Sequence, residues 1–356
     1  MNAGNASRSA RPCATVVRGL VVLVPVMAAI ALVGCGDGSE EATSAGTDNS
    51  QPSGANKDLG TINVVMSNQH DLALPGVDAG LEYDSWSDSG LKVKQAISTK
   101  GIDALASGDA DVTLTSPGSI IGPILQGLPV KMVGATINEW DQYLIVGKNG
   151  KYADAQSASD LKGAKFGITN FGFAGDYSTR KLAEKEGWSK SDYTQVTLGT
   201  LDGLIAGLKK GAIDAFPWSA VPAYKIQEEG FGRVIGSVAD IVQPPTPLDV
   251  VVVTDKAIKE RPDAVKAFCD GYYAAQKRLQ DNPEETIDLF TDTWKVGPRH
   301  VVEAAIETEL PLIATQSGFS AEQLQGMANA AMVTTPDAGT ITADQVKQMT
   351  VDCSSL

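Results

Sequence analysis

From residue 59 onward, short apolar runs alternate with longer amphipathic stretches. Thr61-Ile62-Asn63-Val64-Val65-Met66 reads as a first strand, and it ends in the polar loop Ser67-Asn68-Gln69-His70-Asp71. A helix is expected over 76–83, a strand over 91–97, a helix over 118–126 and a strand over 130–137. Asn138-Glu139-Trp140-Asp141 interrupts the pattern, and a second series opens with Tyr143-Leu144-Ile145-Val146. That series predicts strands at 165–169, 193–197, 212–216 and 233–235, with helices at 176–186, 201–210 and 221–229. Gln243-Pro244-Pro245-Thr246-Pro247 breaks the order again, since proline cannot donate to a sheet. The apolar strand 249–254 then returns to the first series. Beyond Pro262 the pattern is helical, over 263–280, 284–294 and 299–310, with breaks at Pro283, Pro298 and Pro311. Strand and helix alternate, which implies mostly parallel sheets covered by helices. The chain crosses between the two series near 138–147 and 240–249.

One pattern occurs in both series, 103 positions apart. Leu105-Ala106-Ser107-Gly108-Asp109-Ala110-Asp111-Val112 is matched by Leu208-Lys209-Lys210-Gly211-Ala212-Ile213-Asp214-Ala215. Each copy runs from a helix end to a glycine, then to an aspartate and a strand. Glycine suits a helix C-terminus because it enters the left-handed conformation without a Cβ penalty. The two aspartates are expected to be scaffold at the strand starts. The loops downstream, Thr115-Ser116-Pro117 and Trp218-Ser219, reach the strand ends where ligands of open α/β sheets bind.

Charge narrows the partners. The formal charge of the 356 residues is −14, and removing Arg8, Arg11 and Arg18 with the first 34 residues takes it to −17. Such a body lacks the basic footprint that nucleic acid requires, so no nucleic-acid partner is expected. The three arginines precede an apolar run over 19–33 that meets Leu32-Val33-Gly34-Cys35. The run is short for a membrane span and suits a signal peptide. Residues 36–57 are rich in Gly, Ser, Thr, Asn and Asp and read as a flexible tether. Two further cysteines, Cys269 and Cys353, are either joined as a disulfide or free; sequence supplies no Cα separation to decide.

Several stretches carry a resemblance. They are Gly108-Asp109-Ala110-Asp111 with Thr115, Gly127-Leu128-Pro129-Val130-Lys131, Asp160 to Gly167 running into Asp176-Tyr177-Ser178-Thr179-Arg180-Lys181-Leu182, and Gly211-Ala212-Ile213-Asp214-Ala215 with Trp218. Over roughly 59–310 the chain resembles the substrate-binding proteins of ABC importers, in the nitrate/sulfonate/taurine-type branch. That resemblance implies an α/β fold of the two-lobed, type II periplasmic-binding-protein kind. Two αβ sandwiches would be joined by a two-strand hinge, with a helical C-terminal part. Lobe I would hold 59–142 and 248–356, and lobe II 143–247. It implies capture of a small organic anion or zwitterion by hinge closure and delivery to an ABC permease and its ATPase. Gly34-Cys35 resembles a lipoprotein signal, which implies a signal peptide over 1–34, lipidation at Cys35 and a tether over 35–58. The expected location is the extracytoplasmic face of the cell membrane, held by the lipid anchor, and the expected state is a monomer. The alternatives are an enzyme of the same fold acting on a pyrimidine-like or carboxylate substrate, and a lobe that presents ligand to a signalling partner.

Four loops are expected to face the cleft. Asn170-Phe171-Gly172-Phe173-Ala174-Gly175-Asp176 enters a helix whose free N–H groups can hold an anion. Asp176 is either a cap competing for those donors or a contact to a ligand bearing an N–H or positive group. Thr115 and Ser116 offer hydroxyls, or close a turn before Pro117. Trp218 is a stacking wall or inter-helix packing, with Ser219 beside it. Asn68 and His70 follow the first strand, although a lone histidine is often merely solvated. Trp140 and Asp141 belong to the hinge, and Trp86, between Asp84 and Asp88, is expected outside. No metal is expected, because His70 and His300 share no ligand spacing. No cofactor or catalysis is expected either: the chain has no Gly-x-Ser-x-Gly elbow and no Cys-His pair of plausible geometry. Enzymes of this fold that make the thiamine pyrimidine carry a cysteine-rich motif that is absent here.

Overall fold

A computed structural model describes residues 58–356. The expected signal peptide, the expected lipid anchor at Cys35 and nearly all of the tether lie outside the described residues. Among the described residues no helix is long and apolar enough to cross a membrane.

The first series forms β1 (Gly60–Met66), α1 (Pro75–Glu82), β2 (Leu91–Ile97), α2 (Gly101–Ser107), β3 (Val112–Thr115), α3 (Pro117–Leu125) and β4 (Val130–Ala135). The second forms β5 (Tyr143–Gly147), β6 (Lys165–Ile168), α4 (Ala174–Lys185), β7 (Thr194–Thr197), α5 (Leu201–Lys209), β8 (Ala215–Trp218), α6 (Ala220–Glu228) and β9 (Gly232–Ser237). Next in the chain come β10 (Val250–Thr254), α7 (Asp255–Glu260), α8 (Pro262–Asp281), α9 (Pro283–Asp288), α10 (Arg299–Glu309), α11 (Ala321–Thr334) and α12 (Ala343–Gln348).

Two five-stranded sheets result, in the orders β2-β1-β3-β10-β4 and β7-β6-β8-β5-β9. They are mixed rather than parallel throughout. In each, one reversed strand lies between two strands of its sheet: β10 is antiparallel to β3 and β4, and β5 to β8 and β9. Both reversed strands are the ones that enter their sheet directly after a crossing. Residues on alternate sides of each strand feed separate cores. Val251 and Val253 pack with Ile62, Val64 and Phe268, while Val250 and Val252 pack with Ile120, Met132 and Met327. In the second sheet Leu144 and Val146 join Phe166 and Leu182, and Ile145 joins Leu204, Leu208 and Phe216. Such two-sided burial explains the near-continuous apolar runs in the sequence.

The twin motif has a shared structural job. Gly108 ends α2 at φ +82° and Gly211 follows α5 at φ +69°. Asp111 then accepts the Asn63 N–H at 2.9 Å, and Asp214 accepts the Lys165 N–H at 2.8 Å. Each aspartate thereby ties its strand to the neighbouring parallel strand, at the middle of β1 in one and at the start of β6 in the other. Asp111 also pairs with Arg261 at 2.5 Å, so the first copy carries an ion pair on top of the shared backbone tie.

Some expectations shift. Trp86 is not outside: it is 3% exposed, its Nε1–H donates to the Phe268 carbonyl at 3.1 Å, and its ring stacks on Phe268. Room for the indole comes from glycine. A Cβ at Gly80 would stand 2.2 Å from it and one at Gly271 2.3 Å. The strand expected over 212–216 starts three residues later, at Ala215, so Trp218 closes the strand instead of coming after it. Helices α11 and α12, beyond the last expected helix, cover the first sheet through Leu324, Met327, Ala331 and Val346. Cys269 of α8 and Cys353 are disulfide-bonded, with Cα atoms 6.3 Å apart.

Candidate functional site

The strand ends of both sheets converge on one cavity of about 70 Å³. The first sheet contributes Asn68 and Asp71 after β1, Thr115 and Ser116 at the end of β3, and Leu248 and Asp249 before β10. The second contributes Gln142 before β5, Phe173, Ala174 and Gly175 where α4 begins, and Trp218 and Ser219 at the end of β8. The reversed strands explain two of these. Val250 pairs with Thr115, and Tyr143 pairs with Trp218, so the residues just before β10 and β5 stand beside the ends of β3 and β8.

The walls touch directly. Ser219, the residue that precedes α6, donates from its hydroxyl to Asp71 at 3.2 Å. Ser116, which precedes α3, donates to the Gly172 carbonyl at 3.3 Å. Arg180 of α4 reaches the Val333 carbonyl of α11 at 3.4 Å, and Lys225 of α6 reaches the Val296 carbonyl at 3.0 Å. Helix α4 starts with no side-chain cap, leaving its first turn at Ala174 and Gly175 as open wall.

Asp71 is 9% exposed and also accepts from the Ala73 N–H at 3.1 Å and the Asn68 amide at 3.2 Å. Burial raises its pKa, and these donors oppose the rise. Burial, then the charge of Asp71, pushes Asp249 up to about 7. Two further acids lie close behind. Asp141 is buried, and burial pushes it up to about 7. Glu309 of α10 is raised by burial and by Asp141, while its Oε1 accepts the Ala220 N–H at the start of α6.

Of the residues singled out in the sequence, Asn68, Thr115, Ser116, Phe173, Trp218 and Ser219 line this cavity. The structure places the others elsewhere. His70 adopts φ +56°, stacks on Trp294 at 4.7 Å between ring centroids, and faces a second groove toward α5 and α6. Asn170, Phe171 and Gly172 line an outer groove with Ser119 and Thr335, and Phe171 is 60% exposed. Asp176 is neither a wall residue nor the cap residue. It is fully buried and accepts from the Gly172 N–H at 2.8 Å, Arg180 Nε at 2.7 Å and Gln195 Nε2 at 2.8 Å. Its bond to Gly172 lies upstream of the helix, so the first-turn donors of α4 stay unoccupied by it. Trp140 is buried, donates to Ser178 at 2.8 Å and packs edge-on to Tyr177. The lining residues not singled out include Asp71, Gln142 and Asp249. A polar residue abutting each crossing strand was the available signal for the last two.

A family model described as NMT1/THI5 like matches residues 83–286, over half of the chain. The chain belongs to the NMT1/THI5-like family. No curated protein sequence matches it. Solved structures with the same two-lobed fold include the periplasmic aliphatic sulphonate binding protein of Escherichia coli. That protein is 14% identical with a TM-score of 0.62, over 82% of this chain and 92% of the other. The alkanesulfonate-binding protein of Xanthomonas axonopodis pv. citri, bound to MOPS, is 14% identical with a TM-score of 0.65, over 84% and 99%. The periplasmic nitrate-binding protein of Synechocystis PCC 6803 is 15% identical with a TM-score of 0.62, over 82% and 86%. This NMT1/THI5-like chain thus has the periplasmic-binding-protein fold, with its cavity at the place where the two sheets' strand ends meet.

Proposed function

We propose that the protein is an extracytoplasmic solute-binding lipoprotein of an ABC importer, anchored through Cys35. It captures a small organic anion or zwitterion, such as a sulfonate or a carboxylate, and delivers it to a permease whose ATPase drives transport. The observation that carries this reading is the cavity shared by both lobes, walled by hydroxyls, an indole and an uncapped helix start. A ligand that touches both walls favours the closed arrangement, because only differential affinity shifts such a population. The cavity is far below the roughly 300–1,000 Å³ of sites for drug-sized ligands, which fits a small solute. Binding without conversion is part of this reading.

Thermal-shift screening against sulfonates, aromatic and aliphatic carboxylates, nitrate and pyrimidines tests this. A binder raises the melting temperature in a concentration-dependent way, contracts the protein in solution scattering, and is recovered unchanged. Recovery of a converted product, or a response to metals or peptides alone, overturns the reading.

A further inference from the structure

Solute capture leaves open whether the ligand is a plain anion or also carries a positive group, and that choice rests on the proposed function. Two carboxylates, Asp71 and Asp249, belong to the cavity lining, which includes no lysine, arginine or histidine among the described residues. Cations on neighbouring elements are engaged elsewhere. Arg180 pairs with Asp176, and Lys225 donates to a backbone carbonyl.

The two acids are not equivalent. Asp71 is held by three protein donors, from Asn68, Ala73 and Ser219. Asp249 uses its backbone carbonyl for the Thr136 N–H and hydroxyl, and its carboxylate accepts no hydrogen bond from a described residue. Its two oxygens therefore stand in a partly buried wall without a protein donor. A nitrate or plain sulfonate entering here would meet two carboxylates and no base. An ammonium would bring three donors and the missing positive charge. Across the cavity, the open first turn of α4 carries roughly half a positive charge and suits an anionic group.

We infer that the cleft selects a small ligand bearing a protonated amine or equivalent cationic N–H group, received by Asp249 and Asp71. Any anionic end of that ligand lies toward Ala174 and Gly175. Asp249 is thereby the specificity-determining residue, with Asp71 pre-positioned by its own donors.

Calorimetry on matched pairs that differ only by –NH₃⁺ against –OH tests the assignment. Suitable pairs are 2-aminoethanesulfonate with 2-hydroxyethanesulfonate, 3-aminopropanoate with 3-hydroxypropanoate, and benzylamine with benzyl alcohol, with nitrate as a plain anion. The amine member of at least one pair is expected to bind about tenfold tighter or better. Asp249→Asn, checked for an unchanged circular dichroism spectrum, is expected to cut that ratio by about tenfold while sparing the hydroxyl member. The wild-type comparison stands even if the variant does not fold. Equal or tighter binding of the hydroxyl member or nitrate overturns the inference and leaves solute capture standing. So does a shift by compounds outside the pairs with none inside them. An amine preference that survives Asp249→Asn overturns the role of Asp249. If nothing in this panel or the wider screen binds, both readings fall.

Discussion

The two lobes share a strand plan and differ in what they present to the cavity. In each, the order runs edge, first parallel strand, second parallel strand, reversed strand, edge. In each, an aspartate after a left-handed glycine pins the backbone of the neighbouring strand. A serine precedes the helix after the central strand in both, Ser116 in one and Ser219 in the other. The resemblance then stops. Where the first lobe offers Thr115 and Asp249, the second offers Trp218 and Gln142. Backbone hydrogen bonding constrains both scaffolds in the same way, so the repeat persists there. A ligand need not be symmetric, so the walls diverge. The acids diverge as well. Asp176 in the second lobe is neutralised by Arg180, whereas Asp71 and Asp249 face the cavity with no base among its described lining residues.

That asymmetry sets the largest expected effect, a dependence of stability on pH. Asp249 and Asp141 both have pKa values raised from 3.8 to about 7, chiefly by burial. Glu309 is raised too, and Asp71 repels Asp249, Asp141 and Glu309. Between pH 5 and 7 the unfolded chain has released these protons while the native chain keeps them. The native state then binds more protons, so stability falls as pH rises through that window. The contribution is fully present below pH 3.8 and is lost by about 7. One such carboxyl gives a loss of about 2–3 kcal/mol between pH 5 and 7. The acids held low, such as Asp160, Asp192 and Asp352, act below this window. Urea titrations should show a higher midpoint at pH 5 than at pH 8. Asp249→Asn should flatten the slope. A protein that is more stable at pH 8 contradicts the unpaired arrangement.

The shared scaffold can be challenged in the same way. Asp111→Ala removes an ionic partner of Arg261 as well as the acceptor for Asn63, and about 2–3 kcal/mol of stability should go with it. Asp214→Ala removes the acceptor for Lys165 and should cost about 1 kcal/mol. Equal losses in urea unfolding would mean that the Arg261 pair adds nothing and that the two copies are energetic equals.

Much of this scaffold was legible because its signals are local. Short apolar runs, prolines and the Gly-x-x-Asp motif place the strands within a few residues. The walls were legible only where a parallel strand delivers its C-terminal end, as at Thr115 and Trp218. Asp249 and Gln142 escaped because they precede strands that run backwards, and reversal is a pairing made across the fold. His70 sits in the expected loop, yet a left-handed backbone turns it onto Trp294, a partner that its own sequence surroundings cannot name. Asp176 did carry a local signal, Arg180 four residues later on the same helix face. Trp86 carried none: the room for its ring comes from Gly80 and from Gly271 of α8, a contact made across the fold.

The finest comparison concerns the two serines that bond across the cavity. Ser219 donates to a buried acid at 3.2 Å, and Ser116 to a backbone carbonyl at 3.3 Å. Hydrogen bonds to charged groups are worth more than neutral ones. Asp71 also keeps two other donors, which moderates the loss at Ser219. Ser219→Ala should therefore shift the balance between closed and open lobes by about 1 kcal/mol toward open, and Ser116→Ala by about 0.5 kcal/mol. A fluorophore pair placed on α3 and α5 reads that balance as transfer efficiency in the absence of ligand. Because the serines lie on opposite walls and share no partner, the double variant should add to about 1.5 kcal/mol. A double variant no more open than Ser219→Ala alone would mean that the Ser116 contact forms only after the Ser219 contact has closed the walls.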